Sequence, residues 1–227
     1  MKRTIACMIL VLMITFAAIA PVAAFANEAD PDWDDFPFET EGSVSNDSIA
    51  TAKDQWYKIP KKYRDIVINN GVKFLLTDKE AEEYYYGCKK AIIAFYSSFS
   101  KKLVLESKKA SILRGLMHEV GHALDDCYGF PSHSKEWINI FEAEKGILPG
   151  AHSDDASEFF ADVFKLSIKA KYDPLVQSEL DRIPLAAKYM DDLMGISEEF
   201  GLERDIEEMK AAIKTAIKEI ENLLCTE

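Results

Sequence analysis

The pentapeptide His118-Glu119-Val120-Gly121-His122 is flanked on both sides by apolar residues, and it limits the structures that this chain can adopt more than any other segment. Residues four apart in an α-helix lie on one face about one turn apart, so a helix here presents both imidazoles to the same side. We expect Ser111 to cap this helix and the helix to end near Asp126. One apolar face of this helix carries Leu113, Leu116, Met117, Val120, Ala123 and Leu124.

Two histidines at this spacing are suited to bind zinc, but a catalytic zinc ion has three protein ligands and an open position. A third histidine six residues after His122 is absent, because residue 128 is tyrosine. Glu158 is the better candidate, since residues 153–155 (Ser-Asp-Asp) predict a helix start just before it and apolar residues follow it. The alternative interpretation is an ordinary acidic helix start that the helix dipole stabilises.

Neighbouring carboxylates could support such a centre. Asp162 lies four residues beyond Glu158 on the same helical face, where it could accept the spare ring N–H of one ligand histidine. Asp125 or Asp126 could do the same for the other histidine. Glu119 is predicted to be the general base, which takes a proton from water and passes it to a leaving amine. Amide hydrolysis with one Zn²⁺ ion per chain is the chemistry that this pattern favours.

The remaining pattern predicts an α+β fold, with a small mixed sheet followed by a mostly helical C-terminal part that carries the HExxH helix. Residues 48–70 are mostly helical with a break at Pro60, and residues 72–76 form a short strand. Residues 91–96 and 102–106 read as paired strands, and 91–96 is either a sheet edge that binds extended substrate or a plain core strand. Further helices are expected at about 134–144, 154–170, 175–194 and 202–224.

The last of these helices is amphipathic, and we expect it to pack on the domain rather than to recruit a partner. Its apolar stripe comprises Ile206, Met209, Ile213, Ile217, Ile220 and Leu224.

The N-terminus has the pattern of a secretory signal peptide over residues 1–26. Lys2 and Arg3 precede an apolar run that Pro21 interrupts, and residues 24–26 (Ala-Phe-Ala) supply a small-x-small cleavage site. The run is marginal for spanning a bilayer, which needs about 20 apolar residues, so a membrane anchor is the weaker alternative. We expect a secreted, extracellular protein that starts at Asn27 and has no further membrane-spanning segment.

Residues 27–47 are acidic and rich in turn formers, and we expect a flexible leader there, followed by one domain over residues 48–227. The formal net charge is −12, and cleavage after residue 26 would remove Lys2 and Arg3 and leave −14. Nucleic acid is therefore excluded as an expected partner, and we expect a monomer that acts on a protein or peptide. Three cysteines would remain (Cys88, Cys127 and Cys225), which argues against a disulfide framework.

The segments HEVGHALDD (118–126) and SEFFADVF (157–164) resemble the motif segments of the anthrax lethal factor-like zinc metallopeptidases, which include small secreted Pro-Pro endopeptidases. The resemblance spans roughly residues 70–195 and is faint outside the two motifs. It implies a zincin-like metalloprotease domain that follows a signal peptide. It also implies metal ligands at His118, His122 and Glu158, with Glu119 as the base.

The chain departs from that family at one position. The family has a tyrosine about seven residues before the glutamate ligand, where it stabilises the oxyanion, whereas Ala151 and the adjacent His152 stand here. A His152 N–H could donate the same hydrogen bond, or His152 could simply cap the following helix. Three tyrosines are further candidates for this role, namely Tyr128, Tyr172 and Tyr189. His133 is expected to be a surface residue at a helix start rather than a ligand.

Two functions follow from these patterns. The first is a secreted zinc-dependent endopeptidase that cleaves extracellular or surface proteins, with proline-containing sites among its candidate targets. The loop before the HExxH helix lacks the Trp and Gly-rich features associated with cleavage between prolines, so that specificity is not inherited with the resemblance. The second is a catalytically weak or inactive zinc-binding interaction module, which the missing tyrosine favours.

Overall fold

The computed structural model describes residues 36–84, 92–148 and 155–224, which form a small sheet and a set of helices. The strands are β1 (Phe38–Glu41), β2 (Lys73–Thr77), β3 (Ala94–Ser97) and β4 (Lys102–Glu106). The helices are α1 (Asn46–Tyr57), α2 (Lys61–Asn69), α3 (Lys109–Cys127), α4 (Lys135–Glu144), α5 (Ala156–Lys169), α6 (Pro174–Leu180), α7 (Pro184–Met194) and α8 (Ile196–Leu224). The predicted mixed α+β class is confirmed.

The sheet is mixed and has the strand order β1-β2-β4-β3. β2 runs parallel to both β1 and β4, whereas β3 runs antiparallel to β4 with Tyr96 opposite Leu103. The predicted pairing of the strands at 91–96 and 102–106 is therefore present, although β3 occupies Ala94–Ser97 and Ala91 lies outside the described residues. β3 forms one edge of the sheet in the described part of the chain.

The second half of the predicted leader belongs to the domain, so the expectation of a flexible segment up to residue 47 is wrong. Residues 38–41 form β1 beside β2, and Phe38 packs its ring 5.0 Å from Phe74 and 6.1 Å from Trp56. Main-chain pairing with a distant strand leaves no trace in local composition, which is why the sequence hid this strand. The predicted signal peptide and residues 27–35 lie outside the described residues.

Helix α3 packs between the sheet and helix α5. On the sheet side, a Cβ on Gly115 would lie 2.8 Å from the Cβ of Ala94. On the other side, a Cβ on Gly121 would lie 2.9 Å from the Cα of Ala161. Both contacts are closer than side chains allow, so these glycines set how near α3 approaches its two neighbours. The most central side chains of α3, such as Leu116 and Val120, are fully buried.

Two helix boundaries differ from the prediction. Ser111 does not cap α3, which begins at Lys109; its hydroxyl instead donates to the buried carboxylate of Glu106 across 3.1 Å. The helix predicted over 175–194 is two helices, α6 and α7, because Pro184 has no N–H to continue a helix but is well suited to begin one. The predicted break at Pro60 between α1 and α2 is confirmed.

The C-terminal helix α8 is longer than predicted, and its first turns pack on the domain. The Phe200 ring contacts Tyr172 at 5.7 Å, and Lys171 donates to the Ser197 hydroxyl. Further along, four residues of the predicted stripe are 41% to 52% exposed, which contradicts the expected packing; they are Ile206, Met209, Ile213 and Ile217. The side chains of Ile220 and Leu224 lie outside the described part. The helical spacing of apolar residues predicts that a helix has an apolar face, but it does not predict which part of the protein packs against that face.

None of the helices in the described ranges is long and apolar enough to cross a bilayer. Cys127, at the end of α3, is a half-buried free thiol, and Cys88 and Cys225 lie outside the described residues.

Candidate metal centre

The two histidines of the pentapeptide lie on one face of α3, as their spacing predicts. Their rings approach edge to face with centroids 4.8 Å apart, and the two Nε2 atoms are separated by 3.2 Å. His118 is buried and His122 is partly buried. Two imidazole nitrogens therefore converge on one point beside the helix.

Glu158 reaches the same point from the first turn of α5. Asp155 caps this helix, because its Oδ1 accepts the main-chain N–H of Ser157 at 2.7 Å and that of Glu158 at 3.4 Å. The Glu158 carboxylate then lies 3.0 Å from Nε2 of His118 through Oε2 and 3.5 Å from Nε2 of His122 through Oε1. The structure thus brings His118, His122 and Glu158 together, with donor atoms all within 4.8 Å of one another.

These three residues fit a zinc ion. Zinc binds imidazole nitrogen and carboxylate oxygen at about 2.0–2.2 Å, so neighbouring ligand atoms of a tetrahedral site are roughly 3.3–3.5 Å apart. The two Nε2 atoms are 3.2 Å apart, and they lie 3.0 and 3.5 Å from Oε2 and Oε1 of Glu158 respectively, which is close to that separation. Two imidazoles and one carboxylate also match the donor set of catalytic zinc sites, which keep a fourth position open.

Asp162 lies one turn after Glu158 and fixes the ring of His118. The Nδ1–H of His118 donates to Oδ1 of Asp162 across 2.9 Å, which leaves Nε2 directed at the centre, and Lys165 also donates to the Asp162 carboxylate. The contact that the sequence predicted for Asp162 is therefore present. Burial alone lowers the pKa of His118, but the hydrogen bonds to Asp162 and Glu158 outweigh it and raise the pKa to about 9.

The pKa values of the two carboxylates that contact His118, those of Glu158 and Asp162, are lowered. Burial raises the pKa of both Glu158 and Asp162, but their hydrogen bonds to the histidines, above all to His118, outweigh it and hold both pKa values far below the usual carboxyl range. Both groups therefore remain anionic, as a metal ligand and its supporting acceptor must be.

Glu119 lies beside the ligand face, buried between α3 and strand β3. Burial raises the pKa of its carboxyl group, while the charges of His118 and His122 act against that rise. Its carboxylate also accepts a hydrogen bond from the main-chain N–H of Tyr96 on β3. A buried carboxylate with a raised pKa, next to residues that could hold a metal ion, is suited to exchange protons with a substrate.

The structure does not use Asp125 or Asp126 as the acceptor predicted for His122. Asp125 is buried and accepts the main-chain N–H of Ser132 at 2.9 Å and its hydroxyl at 2.6 Å. Asp126 instead accepts from the phenol of Tyr96 and from Lys101. The turn directly after α3 folds back onto Asp125, and β3 and the β3–β4 turn reach Asp126, so other parts of the chain bind both carboxylates.

Ala151 and His152 lie outside the described residues, so the oxyanion role of His152 stays a prediction. Two of the candidate tyrosines make side-chain contacts elsewhere: the Tyr172 phenol donates to the carbonyl of Lys58, and Tyr189 lies near Ser134 and packs on Trp137. Tyr128 follows the last residue of α3, and its side chain is exposed.

His133 is exposed and stacks on the ring of Phe130 at 5.4 Å, as expected for a surface residue. Sequence reasoning missed two contributors to the site. Tyr96 was assigned only to a strand, and its contact with Glu119 has no local signal. Gly121 was treated as a variable position of the motif, although a glycine inside a predicted helix is itself an indication of close packing.

The fold that surrounds this site is similar to that of a solved peptidase structure. The Pro-Pro endopeptidase PPEP-2 from Paenibacillus alvei has a similar structure, with a TM-score of 0.58 and 23% sequence identity. The similarity covers 72% of this chain and 100% of the endopeptidase chain. No family model matches the sequence, and no curated protein does. At this identity the likeness establishes a common fold.

Proposed function

We propose that this chain is a secreted zinc-dependent endopeptidase in which His118, His122 and Glu158 hold the metal and Glu119 is the general base. The observation that carries the proposal is the convergence of these three donor atoms within 4.8 Å, next to the buried Glu119. The fold shared with PPEP-2 and the resemblance to the lethal factor-like peptidases both agree with a zincin-like domain.

The metal ion and two carboxylates of the chain would have separate roles in peptide hydrolysis. A zinc ion bound here would supply a Lewis acid that polarises the scissile carbonyl and acidifies an attacking water. Asp162 holds His118 in one tautomer with Nε2 toward the centre. The Glu119 carboxylate would accept the proton of the attacking water and deliver it to the leaving amine nitrogen.

Substrate would bind along the free edge of β3. The main-chain N–H of Glu106 donates to the carbonyl of Ile93, so this pair is hydrogen-bonded. Hydrogen-bonded and non-hydrogen-bonded pairs alternate along antiparallel strands, so Ala94 and Tyr96 are non-hydrogen-bonded positions. The main-chain groups of Ala94 and Tyr96 consequently point away from β4, toward the open edge next to Glu119. Because the Tyr96 N–H is taken by Glu119, an extended peptide could pair with the main-chain groups of Ala94 and with the carbonyl of Tyr96, which is the recognition mode of strand addition.

Extracellular or surface proteins with proline-containing sites are the proposed substrates. PPEP-2 is a Pro-Pro endopeptidase, and this chain shares its fold. Proline lacks a main-chain N–H, so a substrate that contains it can use only part of the pairing that an open edge offers. Specificity must then come from side-chain contacts.

A second candidate is a zinc-binding interaction module without turnover. Residue 151 is alanine where the resembled family has an oxyanion-stabilising tyrosine, and Tyr172 and Tyr189 make their contacts elsewhere. If neither His152 nor another donor replaces that tyrosine, the centre would bind metal and peptide but stabilise the oxyanion poorly.

The test combines metal analysis with cleavage. Zinc content of residues 27–227 is measured by mass spectrometry, and cleavage of a peptide library rich in proline is followed for wild type and Glu119→Gln. Glu142→Gln, an exposed site on α4, is the matched control. Sequencing the N-terminus of the protein from the culture medium tests secretion, with Asn27 expected.

One zinc per chain and cleavage that disappears only in Glu119→Gln would support the peptidase. One zinc without cleavage of any peptide would favour the interaction module. Absence of zinc would overturn both.

A further inference from the structure

Two side chains tie the edge strand β3 to the helix that carries the metal ligands. The phenol of Tyr96 donates to Oδ2 of Asp126 across 2.6 Å, and Asp126 lies one helical turn after His122. Lys101, in the β3–β4 turn, approaches the same oxygen at 2.6 Å. The Asp126 side chain is only 9% exposed, so this contact is largely shielded from water. We call the pair Tyr96 and Asp126 the edge clamp.

The main chain of the clamped tyrosine faces the general base. Tyr96 is a non-hydrogen-bonded position opposite Leu103, so its N–H points away from β4. A hydrogen bond from this main-chain group lowers the pKa of the Glu119 carboxyl group, against the larger effect of burial. One residue therefore contacts α3 twice, through its phenol at Asp126 and through its main chain at Glu119. Glu119 precedes Asp126 by two turns of the same helix.

A second contact fixes the strand at its other end. Ala94 meets Gly115, where a Cβ would come within 2.8 Å of the Ala94 Cβ. Glu119 lies between Gly115 and Asp126 along α3, so the helix touches β3 on both sides of the general base. The contact at Gly115 is apolar packing, whereas the edge clamp is directional and defines the position of Tyr96.

We propose that Tyr96 and Asp126 are positioning residues that hold the Tyr96 main-chain N–H on the Glu119 carboxylate, so that the base and the substrate-binding edge move as one unit. This inference rests on the proposed function for its catalytic consequence only. Neither residue touches the metal ligands through the contacts described, and the edge clamp acts on the reaction through Glu119.

The edge clamp matters because β3 lacks a neighbouring strand on its outer side in the described part of the chain. An edge strand of four residues held only by β4 can twist away from the helix, and a shift of about 1 Å at a general base can cost up to about a hundredfold in rate. The edge clamp opposes that movement. Burial, and then the hydrogen bond to Asp126, raise the pKa of Tyr96, so the phenol remains a donor throughout the physiological range.

Tyr96→Phe removes the phenol bond and keeps the ring. We expect kcat to fall about tenfold with KM changed far less, because the base is misplaced while the binding edge stays present. Zinc content should be unchanged. Asp126→Asn, which weakens the acceptor, should change kcat in the same direction. Tyr172→Phe is the matched control, since it removes another phenol donor, to the Lys58 carbonyl, and should leave kcat unchanged.

Amide hydrogen exchange measured by NMR provides a readout that does not need activity. In wild type, the amide of residue 96 should exchange slowly although it faces the open edge. Its exchange should accelerate in Glu119→Ala, which removes the acceptor, and in Tyr96→Phe, which releases the edge clamp. The amide of Phe95, which pairs with Val104 on β4, should stay protected and so report that the strand remains folded.

If wild type binds zinc but cleaves nothing, the proposed function fails, and the exchange of residue 96 still decides the inference. Slow exchange at residue 96 in Tyr96→Phe overturns the edge clamp. If the wild type is active, a kcat of Tyr96→Phe equal to that of the wild type also overturns the edge clamp.

Discussion

Gly121 lies against the backbone of Ala161, so that a Cβ at position 121 would come within 2.9 Å of the Ala161 Cα and 3.1 Å of its carbonyl oxygen. At this contact the backbones of α3 and α5 lie close together, because no side chain separates them. His122 follows Gly121 directly, and Glu158 lies three residues before Ala161. The separation of the two helices at this contact therefore sets whether the Glu158 carboxylate can reach both imidazoles.

Gly121→Ala should separate α3 from α5 and weaken metal binding. The new methyl group meets main-chain atoms that cannot rotate away, and overpacking of this kind costs about 1–3 kcal/mol of stability. We expect a lower melting temperature and a higher dissociation constant for zinc, measured by thermal unfolding and by competition with a chelator. Gly201→Ala in α8, where nothing lies within 4 Å, is the control and should be neutral or slightly stabilising. Equal behaviour of the two variants would contradict the packing argument.

Glu158→Gln should abolish stoichiometric zinc binding and leave the fold intact. The amide keeps the size of the side chain and the helix start that Asp155 caps, but it removes the anionic ligand. Zinc content and the circular dichroism spectrum are the measurements. Ser157→Ala, which alters the neighbouring position of the same helix turn, should retain zinc. Unchanged zinc content in Glu158→Gln would remove this residue from the ligand set.

Asp162→Asn should reduce zinc affinity without removing the ligands. The neutral amide holds the Nδ1–H of His118 less firmly, and loss of such a partner typically weakens metal affinity about 10–100-fold. Chelator competition gives the affinity. Asp192→Asn, which removes a carboxylate from an exposed pair with Lys188, serves as the control. An affinity within error of wild type would show that the Asp162 contact does not support the metal.

The stability of the metal-free protein should fall as the pH rises from about 6.5 to about 9. The pKa of His118 in the folded chain is about 9, above its ordinary value of 6.5. The folded state therefore holds this proton more tightly than the unfolded state, which contributes stability that is complete below pH 6.5 and is lost as the pH passes 9. Thermal unfolding across this window, with chelator present, is the measurement.

Bound zinc displaces this proton, so the zinc-loaded protein should show a much flatter profile over the same window. Asp162→Asn, which weakens the hydrogen bond that raises the pKa of His118, should flatten the metal-free profile as well. A metal-free melting temperature that stays constant or rises between these pH values would contradict the assignment to His118.

Periodic patterns allowed much of the fold to be predicted. The spacing of apolar residues around the pentapeptide predicts α3, and the break at Pro60 and strand β4 follow from equally local signals. Predictions failed where the deciding partner was distant. β1 was hidden in an acidic segment because distant partners hold it, through pairing with β2 and the packing of Phe38 on Trp56. The exposure of the α8 stripe likewise depends on what lies beside it.

The candidate site also has features that follow from local sequence and features that depend on distant partners. His118 and His122 share a face because an α-helix repeats every 3.6 residues, so the sequence alone determined that two imidazoles converge with Glu119 beside them. It also nominated Glu158 and Asp162 through a helix start and a spacing of four residues. These are consequences of local geometry, which a short stretch of chain carries within itself.

Which helices and strands meet at the site depends on the packing of the whole domain. The close approach of α3 and α5 at Gly121 brings Glu158 to the histidines, and the edge clamp brings the Tyr96 main chain to Glu119. It also took Asp125 and Asp126 away from the predicted role beside His122, by giving them Ser132 and Tyr96 as partners. Side-chain contacts between segments far apart in sequence depend on how whole helices and strands pack, and local periodicity does not record that packing.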